Sequence, residues 1–222
     1  MGRSLIVNSS VTLDGVMQGP GTPEEDPRGG FTHGGWSAGY WDEPLGEWVG
    51  PLYTGRPADL LLGRRTYEIF AAHWRFVSDD PMADSINAAR KYVASTTLTE
   101  VDWHNSTLLR GDVAEAVAAL KDEDGPDIQV HGSGELVQTL LRHDLVDELR
   151  VMTFPLVLGT GRRLFGEGTI PAGLEAVDSF VSAKGVVAVV YRRAGAIAYG
   201  SFGLDDPTDA ELARRKALAD EH

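Results

Sequence analysis

Gly132-Ser133-Gly134 falls where a short apolar run, Ile128 to His131, gives way to a helical one, Glu135 to about His143. A strand that turns into a helix through small residues leaves backbone N–H groups free at the positive end of the helix dipole, which is the chemistry of an anion cradle. The spacing is not the dinucleotide fingerprint, because G-x-G-x-x-G would need glycine where the chain has Val137. A tight strand-to-helix turn without a ligand accounts for the same residues. Gly63-Arg64-Arg65-Thr66 occupies an equivalent place, after the buried run Ala58 to Gly63 and ahead of the helical spacing Tyr67, Phe70, Trp74. There, two guanidinium forks and a hydroxyl join the helix end and suit phosphate oxygens, with ordinary surface charge as the other reading. Two such places on one sheet match the two ends of a dinucleotide.

Ser95-Thr96-Thr97, just beyond a third short run, offers hydroxyls at the same sheet edge, although alone it reads as a loop. Asp14 stands at the end of the first strand with Gly15 behind it. It is either a general acid or substrate anchor, or a turn-forming residue. Other chemistries are disfavoured. The six histidines show neither H-x-x-x-H nor H-x-H spacing, so no metal site is expected, and the absence of cysteine removes thiol nucleophiles, disulfides and zinc ribbons. Ser133 lacks the G-x-S-x-G context of a hydrolase nucleophile.

These groups need a sheet to carry them. Short apolar runs at Leu5 to Ser9, Ala58 to Gly63, Lys91 to Ser95, Thr107 to Leu109, Ile128 to His131 and Glu148 to Phe154 read as strands. Helical runs separate several of them, one opened by Asp112 with Glu115 three residues on. Glu175 to Ala183 and Val186 to Arg193, joined by Lys184-Gly185, close the series as a hairpin. This order predicts an α/β fold with a mostly parallel sheet and an antiparallel edge. Met17 to Tyr53 is poor in regular signal but rich in Gly and Trp, and with Gly159 to Gly173 it reads as long shaped loop of the kind that serves a ligand. From Ala194 a linker leads to Asp206-Pro207-Thr208-Asp209 and a charged helix.

Acidic residues outnumber basic ones 33 to 20, a formal charge of −13 over 222 residues, so nucleic acid and anionic membranes are not expected partners. The N-terminal apolar run is too short for a signal segment, and no stretch approaches the about 18 apolar residues of a membrane span, so a cytoplasmic protein is expected.

Six motifs then occur in order: Thr12-Leu13-Asp14-Gly15; Leu62-Gly63-Arg64-Arg65-Thr66-Tyr67-Glu68; Val93-Ala94-Ser95; Val130-His131-Gly132-Ser133-Gly134-Glu135-Leu136; Val146-Asp147-Glu148-Leu149; and Pro155 to Gly161 followed by Leu164-Phe165. Together they resemble the dihydrofolate reductase-like superfamily, in its branch of riboflavin biosynthesis reductases (the RibD C-terminal domain) and stand-alone bacterial relatives. The resemblance implies a three-layer reductase domain over residues 1–193 and a helical extension over 194–222. It implies NADPH across the sheet, with Gly63, Arg64, Arg65 and Thr66 near the adenosine-side phosphates, and Ser95 and Thr96 at the 2′-phosphate. Gly132, Ser133, Gly134, Glu135 and Leu136 would cradle the pyrophosphate, and Asp14 would face the substrate as the catalytic residue. It further implies direct hydride transfer to a small heterocycle of pyrimidine or pterin type, and a homodimer. The zinc deaminase often fused to such reductases cannot be present without cysteine. A dihydrofolate or pteridine reductase, with Asp42 or Glu43 as its helix carboxylate, and a non-catalytic NADP-binding protein are the competing readings.

Overall fold

In a computed structural model, which describes residues 2–166 and 169–221, eight strands form one sheet. They are β1 (Leu5–Thr12), β2 (Ala58–Gly63), β3 (Lys91–Ala94), β4 (Ser106–Leu109), β5 (Asp127–Val130), β6 (Glu148–Phe154), β7 (Gly173–Val181) and β8 (Val187–Gly195). Their order is β4-β3-β2-β5-β1-β6-β8-β7. All pairings are parallel except β6 with β8 and β8 with β7, so the expected antiparallel hairpin forms one edge.

Six α-helices accompany the sheet: α1 (Glu43–Thr54), α2 (Arg64–His73), α3 (Pro81–Ala88), α4 (Val113–Asp122), α5 (Gly134–Arg142) and α6 (Asp209–Asp220). Apolar spacing decides which face each one covers. Val117 and Leu120 of α4 and Leu136, Val137 and Leu140 of α5 pack with Leu5, Val7, Ile128 and Val130 of the central strands. On the opposite face Leu45 and Val49 of α1 join Met152 and Phe154, and Tyr67 and Ala71 of α2 join Ile86 of α3 over Leu60 and Leu62. The result is the three-layer α/β arrangement the motif order implied. Among the described residues no helix is long and apolar enough to cross a membrane.

Three features differ from the sequence reading. β1 runs to Thr12, because Val11 and Thr12 are buried and pair with Thr153 and Phe154. The segment read as irregular from Met17 to Tyr53 ends in α1, capped by the Asp42 carboxylate accepting from the Leu45 amide at 2.9 Å. Gly46, Gly50 and Pro51 are poor helix formers and hide that helix, yet burial of Leu45 and Val49 on one face holds it. The short α3, opened by Asp80 and Pro81, is a further helix beyond those the sequence pattern predicts.

The sheet is asymmetric about its central strand. β5 pairs with β1 only from Leu5 to Val7 and ends at Val130, whereas β1 continues to Thr12 beside β6. Beyond Val7 the β5 side of β1 therefore has no neighbouring strand, and a cleft opens at the carboxyl ends of the central strands, the usual ligand position of such sheets.

Candidate functional site

The turns from β2 into α2 and from β5 into α5 meet at this cleft. The Gly63 amide donates to the Gly132 carbonyl at 3.2 Å, and the Thr66 and Ser133 hydroxyls lie 3.3 Å apart. A side chain at Gly63 would come within 2.5 Å of Ser133 Oγ and 3.0 Å of its backbone nitrogen, so the close approach requires glycine there. Gly132, whose φ is 125°, sits in backbone geometry that other residues rarely adopt.

Helix capping separates these two turns from the rest of the chain. α1, α3, α4 and α6 each start with a side-chain oxygen on the first free amides, from Asp42, Asp80, Asp112 and Thr208. Gly63 and Ser133, at the starts of α2 and α5, make no such bond, and both helix ends face one shared groove. Its first-turn amides, left free by the sequence, are available to an anion.

The groove is basic in an acidic chain. Arg64 and Arg65 line it, each 3.1 Å from Glu68, which holds the two guanidinium groups together at the mouth. Arg28 and Arg162 line it as well, brought in by the two Gly-rich loops. Gln18 makes that convergence: its Nε2 donates to the carbonyls of Asp26 and Arg28 at 3.0 and 2.9 Å, while its Oε1 accepts from the Arg162 amide at 3.1 Å. Arg28 is aimed by a two-pronged pair with Asp26, which holds that carboxyl below its ordinary value, and Arg162 lies 2.8 Å from Glu135. At the far end, Ser95 and Thr96 complete the lining. Ser95 Oγ accepts from the Thr97 and Leu98 amides and so fixes the loop.

Past Arg28, Arg65 and Arg162 the groove opens into a cavity of about 230 Å³ bounded by Asn8, Ser9, Tyr53, Phe70 and His131. His131, the first residue after β5, is sandwiched between the rings of Tyr53 at 5.3 Å and Phe70 at 5.7 Å. Burial, with the Arg150 cation adding to it, pushes the imidazole down to about 4, so it is neutral at physiological pH. Burial pushes the Tyr53 phenol up to about 12. This inner end is therefore aromatic and polar but uncharged. Among the described residues no cluster of three His, Cys, Asp or Glu could hold a metal ion.

Asp14 lies elsewhere. Its carboxylate accepts from the Leu158 and Gly159 amides at 3.1 and 2.9 Å and from the Thr12 hydroxyl at 2.6 Å, and it lines neither the groove nor the cavity. The Thr12 hydroxyl first, and then the two amides, hold it down to about 2 against the opposing effect of burial. It pins the strand of loop that continues, through Val16 bridged to Arg163, to Arg162 in the groove.

The structure thus gathers Gly63, Arg64, Arg65, Ser95, Thr96, Ser133, Glu135 and Leu136 along one groove, puts Thr66, Gly132 and Gly134 at its join with the cavity, and leaves Asp14 behind a supporting loop. Sequence reasoning missed Arg28, Arg162, Gln18, Asn8, Ser9, Tyr53 and His131 as lining residues. Its signal for the first three was only the glycine content of the loops that carry them.

The family model of the RibD C-terminal domain matches residues 3–188. The Bacillus subtilis (strain 168) protein YyaP, itself uncharacterised, is 28% identical over 198 residues, covering 85% of this chain and 94% of that protein. A putative riboflavin biosynthesis protein from Shewanella sp. PV-4 superposes with a TM-score of 0.66 at 25% identity, over 86% of this chain and 98% of the other. A dihydrofolate reductase from Enterococcus faecalis complexed with NADP(H) shares the fold, with a TM-score of 0.55 at 16% identity over 86% and 96% of the two chains.

Proposed function

Since the chain belongs to the RibD C-terminal domain family, within the dihydrofolate reductase-like superfamily, we propose that it is an NADPH-dependent reductase of a pyrimidine or pterin-like ring. The known activity it is most like is 5-amino-6-(5-phosphoribosylamino)uracil reduction in riboflavin biosynthesis. The observation that carries this reading is the pair of uncapped helix starts facing one arginine-lined groove that runs on into an uncharged aromatic cavity.

The donor set fits a dinucleotide phosphate. Free amides at α5 and α2 serve a pyrophosphate, Arg64 and Arg65 with the Ser95 and Thr96 hydroxyls serve a further phosphate, and no carboxylate other than Glu135 lines that groove. When bound, NADPH would supply a hydride to the ring. The chain's own part is placement. The glycine contact between the two turns fixes the cradle, Gln18 sets Arg28 and Arg162 at the junction, and Asn8, Ser9 and neutral His131 surround the ring without adding charge. Asp14 is assigned the positioning of the loop that bears Arg162.

Incubation of the purified protein with NADPH and a panel of diaminopyrimidines, pterins and dihydrofolate, following loss of cofactor absorbance, tests the reading. Faster oxidation with an aminopyrimidine supports it, and with dihydrofolate alone moves the activity to the folate side. Stoichiometric NADPH binding without oxidation of any ring makes the chain a non-catalytic NADP-binding protein. We also assign a homodimer through the outer hairpin, since Leu174, Val177 and Val181 of β7 and Val187 of β8 are apolar and exposed. Light scattering during size exclusion decides the mass.

A further inference from the structure

Asn8 and Ser9 are ordinary strand residues in composition, but their place is not ordinary. Their side chains are buried, at 4% and 5% exposure, and both line the inner cavity where β5 has ended. Asn8 Oδ1 and Ser9 Oγ have no hydrogen-bond partner in the protein, whereas buried polar atoms of folded proteins are as a rule satisfied.

The orientation of the Asn8 amide is forced by its neighbours. The Leu52 carbonyl can only accept, so Gln129 must present Nε2 to it, at 3.3 Å. Gln129 Oε1 then faces Asn8, which must answer with Nδ2, also at 3.3 Å. Asn8 Oδ1 is the end left over, an acceptor held in place by a relay that starts at the backbone of α1. An acceptor of this kind calls for an N–H donor on the ligand.

Formal charge is arranged in the opposite sense to a site for a cationic ring. The carboxylates at the cavity's edge are both engaged, Asp26 with Arg28 and Glu25 with the Gly21 and Thr22 amides at 2.6 and 3.1 Å. The remaining charges there are the guanidinium groups of Arg28, Arg65 and Arg162. A positively charged ring moved into this cavity would lose its hydration, meet three like charges at the mouth and find no free carboxylate.

We propose that Asn8 and Ser9 determine ring specificity by charge: the cavity takes an uncharged lactam-type heterocycle, whose N–H donates to Asn8 Oδ1 and whose oxygen accepts from Ser9 Oγ, and refuses a protonated 2,4-diaminopyrimidine. This deepens the reductase reading and rests on it for placing the ring in the inner cavity. An acceptor without charge matches a neutral N–H, and a hydroxyl matches a carbonyl. A carboxylate at position 8 would instead match a protonated amidine edge in a two-pronged ion pair.

The test is calorimetric titration of the full chain with 6-aminouracil and with protonated 2,4-diaminopyrimidine, using wild type, Asn8→Leu, Ser9→Ala and Asn8→Asp. NADPH affinity is measured separately on each preparation. Wild type is expected to bind 6-aminouracil about tenfold or more tightly than the diaminopyrimidine, Asn8→Leu to lose about tenfold in 6-aminouracil affinity, and Asn8→Asp to reverse the order. Ser9→Ala, which removes a single oxygen and leaves the strand intact, should lose about threefold to tenfold and carries the test where Asn8→Leu does not fold. Equal or reversed preference in wild type, no binding of 6-aminouracil, or unchanged affinity in the variants overturns the proposal. NADPH oxidation without ring preference would sink this inference and leave the reductase reading standing. Ring preference without any NADPH binding would do the reverse.

Discussion

The amide of Gly63 donates to the carbonyl of Gly132 at 3.2 Å, and this bond presses the turn at the end of β2 onto the turn at the end of β5. The phosphate cradle is therefore one composite surface, and its glycines do different work. Gly134→Ala meets only the flexible Met17 Sδ, at 3.3 Å, so the variant should fold with near-normal stability and lose most of the melting-temperature gain given by NADPH. Gly63→Ala and Gly132→Ala should lower the melting temperature without cofactor, by about 1–3 kcal/mol in stability, through contact with Ser133 and Thr66 and, for Gly132, its left-handed backbone. Thermal melts with and without NADPH separate the two classes. A Gly134→Ala protein that keeps the full gain would show that the turn serves no ligand.

Arg64 and Arg65 share Glu68 at 3.1 Å and point a double positive charge into the groove beside Ser95 and Thr96. Changing both to Gln should weaken NADPH by about 100-fold and NADH far less, since the extra phosphate is what distinguishes the two. Fluorescence titration of both cofactors checks this. An equal loss for the two would move the pair away from the 2′-phosphate.

The cradle was legible because its signals are local. Glycines at Gly63 and Gly132, followed by helical spacing, announce a strand-to-helix turn within a few residues, and the hairpin at Lys184-Gly185 is marked in the same way. The arginines at the junction were not legible, since Arg28, Arg65 and Arg162 lie far apart in the chain and meet only through the Gln18 side chain. Asn8 and Ser9 escaped for another reason. Nothing in their own segment shows that β5 stops at Val130 and leaves them facing a cavity. Asp14 illustrates the converse, a residue whose motif position suggested the reacting ring and whose hydrogen bonds turn it toward the Leu158 and Gly159 amides.

Replacing Asp14 with Asn puts an amide nitrogen or a single weaker acceptor against two backbone donors. The variant should melt about 2–4 °C lower and bind NADPH several-fold more weakly through displacement of Arg162, with no acid limb lost from the pH–rate profile. Because the folded carboxylate is held at about 2, below its ordinary 3.8, its contribution to stability is complete above about pH 4 and disappears as pH falls toward 2. A kcat lowered by ~10²-fold to 10⁴-fold with cofactor affinity intact would instead place this group at the reacting ring.

His131 gives the molecule a different pH dependence, in a window where Asp14 and Asp26 are silent. Its imidazole is held at about 4 by burial between Tyr53 and Phe70 and by the Arg150 cation, against an ordinary 6.5. Between those values the unfolded chain binds the proton and the folded chain does not, so this group favours unfolding increasingly as pH falls from about 6.5 toward 4 and has no effect above about 7. The full difference is on the order of 2–3 kcal/mol as an upper bound. The carboxylates held low by Thr12 and Arg28 lose stability only below their ordinary value of 3.8, outside this range. His131→Phe keeps an aromatic plane between the two rings and removes the titration. Guanidinium denaturation of both proteins at about pH 7.5, 6 and 5 should give a wild-type stability that declines with acidity and a variant curve that is flatter across the same points. An equal decline in the variant would mean that the proton taken up on unfolding belongs to another group, and that His131 is not held neutral by its place beside the cavity.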